Sequence, residues 1–149
     1  MLQVRCQAPA IIDAKGRIAL PAALRRALSV ANVHSLVLTF HRGAIWGWTS
    51  EEFERTVERP LSEADPFNIE VMDFAHALLA PAQDVEVDKQ GRTRIPVPLR
   101  QLAGLEREIM INSLVNRIEI WDRKVWEARF TESLKRAERI TGMPKGQSA

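Results

Sequence analysis

The sequence has one cysteine, Cys6, in 149 residues. No disulfide can form within the chain, which fits a protein kept in a reducing cytoplasm. No apolar run approaches the ~20 residues that cross a bilayer. The opening stretch MLQVRCQAPA lacks the apolar core of a signal peptide. The three histidines, His34, His41 and His76, have no metal-ligand spacing with one another or with Cys6. None of the patterns G-x-x-x-x-G-K-[ST], H-E-x-x-H, G-x-S-x-G or G-x-G-x-x-G occurs, so no familiar catalytic or cofactor constellation can be assembled. The expectation is a chain with no catalytic residue, metal, cofactor, small-molecule substrate or membrane segment. A carboxylate-based nuclease is the competing enzyme reading, and metal-dependent cleavage of DNA would identify it.

What the sequence does have is an uneven distribution of charge. The total is only +2, yet residues 1–49 carry +5, residues 50–88 carry −9 and residues 89–149 carry +6. Two basic stretches flanking an acidic centre point to an anionic partner, against the simpler reading of solvated faces.

Each basic stretch contains the same motif. Shifting the chain by 75 residues lays DAKGRIALPAALR on DKQGRTRIPVPLR, with six identities in thirteen positions: Asp13/Asp88, Gly16/Gly91, Arg17/Arg92, Pro21/Pro96, Leu24/Leu99 and Arg25/Arg100. The order of elements goes on matching, SLVLTF with EIMINS and AIWGWTSEEF with RIEIWDRKVW once two residues are gapped. This is an internal duplication. In each copy, APAII or DVEVD reads as a strand, and DAKG or DKQG as a turn. Asp13 and Asp88 can bond their own backbone there, while Gly16 and Gly91 tolerate a positive φ. RIAL or RTRI resumes as a strand, Pro21 or Pro96 opens a short helix, Gly104 ends the second of these helices, and a hairpin closes at HRGA or VNR.

Three helices lie outside the shared pattern or extend it. TSEEFERTVE starts with a capping box, Thr49 with Glu52. DPFNIEVMDFAHALLA is expected to start with Asp65 as cap and Pro66 in its first turn. DRKVWEARFTESLKRAERI places Trp126, Phe130, Leu134 and Ala137 on one face. The tail TGMPKGQSA is expected to fray. One copy of about fifty residues buries too little surface to be stable alone, so two copies sharing a core are expected.

With a basic residue and Gly-Arg at both turns, contact of Arg17 and Arg92 with DNA outweighs the reading of solvated strand residues. Arginine's planar fork can engage guanine O6/N7 or phosphate. Arg25 and Arg100, on the helix after the proline, are weaker candidates. Asp13 and Asp88 are expected to fix the turn, because a carboxylate repels phosphate. Trp46, Trp48, Trp121 and Trp126 have the spacing of packing residues rather than of a base-stacking platform.

The two D-x-x-G-R-x-x-x-P copies, with RIEIWD and the following Trp126, resemble the MraZ proteins of bacteria, regulators built from two SpoVT-AbrB-type repeats. The resemblance runs from about residue 7 through the C-terminal helix. It implies an α+β fold, a pseudo-symmetric swapped-hairpin β-barrel of two AbrB-like repeats with peripheral helices. The parts would be repeat 1 at 7–54, an acidic helical linker at 55–81, repeat 2 at 82–125, and a C-terminal helix and tail at 126–149. It further implies a cytoplasmic, nucleoid-associated homo-oligomer, a ring, that binds double-stranded DNA at short direct repeats upstream of division and cell-wall genes. Matching position assigns the DNA face to Lys15, Arg17, Lys89 and Arg92. The second copy adds Arg94, where the family is more often apolar. Two further departures are His76, where arginine is usual, and Pro81, where glycine is common; oligomer packing is the role implied for the first. The alternative is an AbrB-like oligomeric protein-binding or antitoxin-type module.

Overall fold

The computed structural model describes residues 2–140. The elements run β1 (Arg5–Ile11), β2 (Arg17–Ala19), α1 (Ala22–Val30), β3 (Ser35–His41), β4 (Ala44–Trp48), α2 (Ser50–Phe53) and α3 (Arg59–Glu63), with a π-helical stretch Glu54–Glu58 joining the two helices. They continue through α4 (Ile69–Phe74), a second π-helical stretch Ala75–Leu79, β5 (Gln83–Glu86), β6 (Arg92–Arg94), α5 (Val97–Leu102), β7 (Glu108–Leu114), β8 (Ile118–Asp122) and α6 (Arg123–Glu138). The result is an α+β protein with an antiparallel sheet of six strands in the order β1-β7-β8-β4-β3-β5, and a ribbon of β2 with β6.

That order shows how the duplication is used. The first strand of each copy pairs with the other copy: β1 lies along β7, and β5 along β3. The register obeys the same rule, Ala10 facing Ile109 as Val85 faces Leu36. The two hairpins meet at the centre through β4 and β8, where Ile45 faces Ile120 and Gly47 faces Ile118. Exchange of the copies therefore maps the sheet onto itself. The hydrogen bonds define an open sheet and a ribbon; among the described residues no ladder closes a barrel, and an isolated bridge joins Val87 to Thr93.

The main core follows from this interlock. It holds eight buried residues from each copy, among them the equivalent pairs Leu24/Leu99, Leu36/Ile109, Leu38/Ile111 and Ile45/Ile118. Each copy thus buries its apolar strand faces mainly against the other, and neither has a full core of its own. The opposite face of the sheet is covered unequally. Val37, Trp48, Phe53 and Val57 pack with Leu61, Leu78 and Leu79 beneath the linker helices. Ala44, Met110 and Trp121 pack with the partly buried Trp46 and Trp126, under the start of α6.

Local chemistry sets the helix ends. Thr49 Oγ1 accepts from Glu52 N at 3.2 Å, as the capping box predicts,. Asp122 caps α6 by accepting from Val125 N, and Trp126 stacks on Phe130 with ring centroids 5.2 Å apart. Gly104 ends the repeat-2 helix with φ +62°. Two expectations are corrected. The helix expected to begin at Asp65–Pro66 begins at Ile69 with Asn68 as its cap, because Asp65 spends its carboxylate on Phe67 N in a turn while Asn68 Oδ1 accepts from Glu70 N and Val71 N. Pro21 and Pro96 stand at the cap, one residue before the helix, with extended ψ of 147° and 139°. The tail TGMPKGQSA lies outside the described residues.

Candidate nucleic-acid interface

Both turns are built from the same five hydrogen bonds. Asp13 Oδ1 accepts from Lys15 N and Arg17 N, each at 2.9 Å, and Asp13 Oδ2 accepts from Arg17 Nε at 2.9 Å. Asp88 Oδ1 accepts from Gln90 N and Arg92 N at 2.9 Å, and its Oδ2 from Arg92 Nε at 3.0 Å. Asp13 N donates to Arg17 O and Gly16 N to Asp13 O, with the matching pair at Asp88, Arg92 and Gly91. Such a reversal needs the left-handed region, and Gly16 and Gly91 occupy it at φ +78° and +76°,. The Arg17 backbone N–H above all, helped by its side chain and by Lys15 N–H, holds the Asp13 carboxyl below the ordinary 3.8; the Arg92 backbone N–H does the same for Asp88,. Both carboxylates are therefore charged at neutral pH.

Each aspartate grips its arginine end-on, at Nε. Among the described residues the terminal guanidinium nitrogens of Arg17 and Arg92 have no partner. The ion pair thus fixes the direction of the side chain and leaves its fork of donors open.

The ribbon collects these arginines. Arg17 lies opposite Arg94, Ile18 opposite Thr93 and Ala19 opposite Arg92. Cross-strand partners share a face, so Arg17, Arg92 and Arg94 stand together on the outer face, while Ile18 and Thr93 point into the core at 1% and 2% exposure,. Two cations directly opposed on a ribbon are mutually destabilising. The arrangement of Arg17 against Arg94 therefore does not serve the ribbon's own stability. Leu20 N donates to Gly91 O and Ile95 N to Gly16 O, both at 2.9 Å, so each turn sits against the far end of the other copy's strand.

The structure brings Arg17, Arg92 and Arg94 onto one surface and places Lys15 and Lys89, both exposed, in the turns at the ribbon's opposite ends. The two lysines are not equivalents: Lys15 matches Gln90, and Lys89 matches Ala14. Arg25 and Arg100, rated weaker for DNA, have a different position altogether. Each lies over the other copy's glycine turn, where Arg25 Nη1 donates to Gln90 O at 3.3 Å. Motif spacing carried no signal of this crossing, although the repetition of the arginine marked the position. Trp48 and Trp121 are buried at 5% and 3% exposure and Trp46 lies tilted against Trp48 with ring centroids 5.9 Å apart, so these rings belong to packing.

Among the described residues no helix is long and apolar enough to cross a membrane. Comparison with known proteins adds the family. A family model described as "MraZ protein, putative antitoxin-like" matches residues 9–72 and 78–142, once per copy. A Treponema denticola protein named transcriptional regulator MraZ is 37% identical over 123 residues, covering 82% of this chain and 83% of the relative. The same name belongs to relatives from Lachnoclostridium phytofermentans, 37% identical over 124 residues with 83% and 84% covered, and from Legionella pneumophila, 31% identical over 137 residues with 90% of each covered. Two matched segments, each holding one Asp-turn and one ribbon strand, and relatives aligned across most of their length place this chain in the MraZ family, a family of transcriptional regulators and not of enzymes.

Proposed function

We propose that the chain is a sequence-specific, double-stranded-DNA-binding regulator that reads DNA with the β2–β6 ribbon and its two turns. The observation that carries this is the shared outer face of Arg17, Arg92 and Arg94, two of them oriented by aspartates that leave the guanidinium fork open. The major groove of B-DNA, about 12 Å wide, admits a two-stranded ribbon. Three residues at about 3.4 Å each span less than that width. Arg17, Arg92 and Arg94 then face base edges or phosphates, and Lys15 and Lys89 add phosphate contacts at the two ends. The interlocked copies form a barrel-like body behind the ribbon.

The protein acts as a homo-oligomer, a ring, in the cytoplasm at the nucleoid. Phe67, Ile69 and Phe74 around α4 and Phe130 and Leu134 on α6 are all more than 40% exposed. The α4 region is acidic and α6 basic, so a head-to-tail contact between copies matches apolar to apolar and charge to charge. A ring presents several ribbons, each contributing a weak contact, which suits DNA with spaced direct repeats upstream of division and cell-wall genes. The family description favours a second reading, an antitoxin-type module whose exposed α4 and α6 faces bind another protein.

Titration of labelled DNA carrying the upstream direct repeats, and of a scrambled control, at two salt concentrations tests the proposal. Preference for the repeats, with affinity falling steeply as salt rises, supports it. Equal binding of both DNAs, or none, removes the sequence-specific DNA reading by the ribbon and leaves the protein-binding one. Light scattering that shows a monomer at micromolar concentration removes the ring.

A further inference from the structure

Gly16 and Gly91 lie at the tips of turns, yet both are buried. An arginine from the opposite repeat covers each of them. A Cβ at Gly91 would collide with the Cγ and Cδ of Arg25 and come within 3.2 Å of its Nε. A Cβ at Gly16 would meet the guanidinium of Arg100, with Cζ and Nη2 at 3.3 Å and Nη1 at 3.4 Å. Arg25 belongs to α1 of the first copy and Gly91 to the second; Arg100 belongs to α5 of the second and Gly16 to the first. Absence of a side chain at the glycine is thus needed twice, for the positive φ and for the arginine that lies on it.

We propose that Arg25 and Arg100 are crossed positioning residues, each setting the recognition turn of the other repeat. The backbone bonds Leu20 N to Gly91 O and Ile95 N to Gly16 O close the same crossed connection from the strand side. The two crossings are unequal. Arg25 Nη1 reaches the Gln90 carbonyl, whereas Arg100 Nε is buried with no partner among the described residues. The second-copy turn is therefore held by packing and a hydrogen bond, the first-copy turn by packing. The part played in recognition rests on the DNA reading above; the crossing itself does not.

Hydrogen exchange on the full-length protein without DNA tests the crossing. Arg25 is exposed on its helix, and alanine is a strong helix former, so Arg25→Ala keeps the fold, with Arg25→Gln as a second variant. Arg25→Ala should speed exchange of the Gln90 and Arg92 amides by about tenfold and leave Lys15 and Arg17 unchanged. Arg100→Ala should do the reverse. Faster exchange at the variant's own turn, at both turns equally, or at neither would overturn the proposal. DNA titrations separate the two readings. Crossed exchange with unaltered DNA affinity leaves the positioning role standing and counts against the turns as DNA contacts. Weaker DNA binding with unaltered exchange makes Arg25 a direct DNA contact and overturns the positioning role.

Discussion

The two repeats are alike where they touch each other and unlike where they face outward. The Asp-turn hydrogen bonds agree to within 0.1 Å between copies, and the cross-copy strand registers follow one rule. On the outer face of the ribbon, by contrast, Ala19 in one copy corresponds to Arg94 in the other, and in the turns at its ends Lys15 corresponds to Gln90 and Ala14 to Lys89. Behind the sheet, the linker helices cover the first hairpin with Phe53, Val57, Leu78 and Leu79, while α6 leaves Phe130 and Leu134 exposed. The shared core ties the two copies to matching shapes, so a change in one must fit the other. The outer positions carry no such constraint, and there the copies differ in charge and in how far their apolar side chains are covered.

The largest expected effect comes from separating the copies. Residues 1–60 alone should show no cooperative thermal unfolding as a monomer, since half of the main core is missing,. A sharp monomeric transition would show that the first copy owns a core. Next come paired truncations at equivalent positions. Leu24 and Leu99 are both 0% exposed. Leu24→Ala and Leu99→Ala should each cost about 2–5 kcal/mol in denaturant unfolding, with similar values. A loss at one site only would break the symmetry of the core.

The outer face should behave in the opposite way. Arg94→Ala should weaken binding to repeat DNA by about 1–3 kcal/mol if Arg94 reads a base, with little change in stability. Ala19→Arg, which makes the copies alike, should strengthen binding to any DNA, by about 1 kcal/mol or less. Fluorescence anisotropy measures both.

The smallest effect is a pH dependence confined to the first hairpin. Burial above all, then the charges of Arg42 and Arg117 against the opposing Glu119, holds the His41 imidazole below its ordinary 6.5. Below 6.5 the unfolded chain binds the proton more readily than the folded one. Stability should therefore fall as pH drops through 6.5 and level off once the folded His41 is protonated. The second hairpin has Leu114 at the equivalent position, so His41→Leu should flatten the profile in this window. An unchanged thermal-midpoint profile would place the titrating group elsewhere.

Much of this was legible in the sequence because it is local. An aspartate that bonds its own backbone and a glycine at positive φ specify the Asp13 and Asp88 turns within five residues, and Thr49 with Glu52 specifies a helix start the same way. Asn68 displaced Asp65 as a cap because two capping residues three apart compete, and Asp65 closes a turn onto Phe67 N while Asn68 takes the amides of Glu70 and Val71. The unequal matching of Lys15 and Lys89 was present in the alignment, since Lys15 stands opposite Gln90. The crossing of Arg25 and Arg100 was not legible: it depends on which strand pairs with which across 75 residues, and side-chain period carries no information about that. The gathering of Arg17, Arg92 and Arg94 on one face likewise needed the register of β2 against β6.

The most direct test of the ribbon as the DNA-reading surface is the double variant Arg17→Ala, Arg92→Ala, titrated against repeat and scrambled DNA. The variant's unfolding transition is recorded beside the titrations to establish that it is folded. Removing both oriented guanidinium groups should cost at least about 2 kcal/mol on repeat DNA and abolish the preference over scrambled DNA. A folded double variant that binds repeat DNA as tightly and as selectively as the unaltered protein would contradict the account.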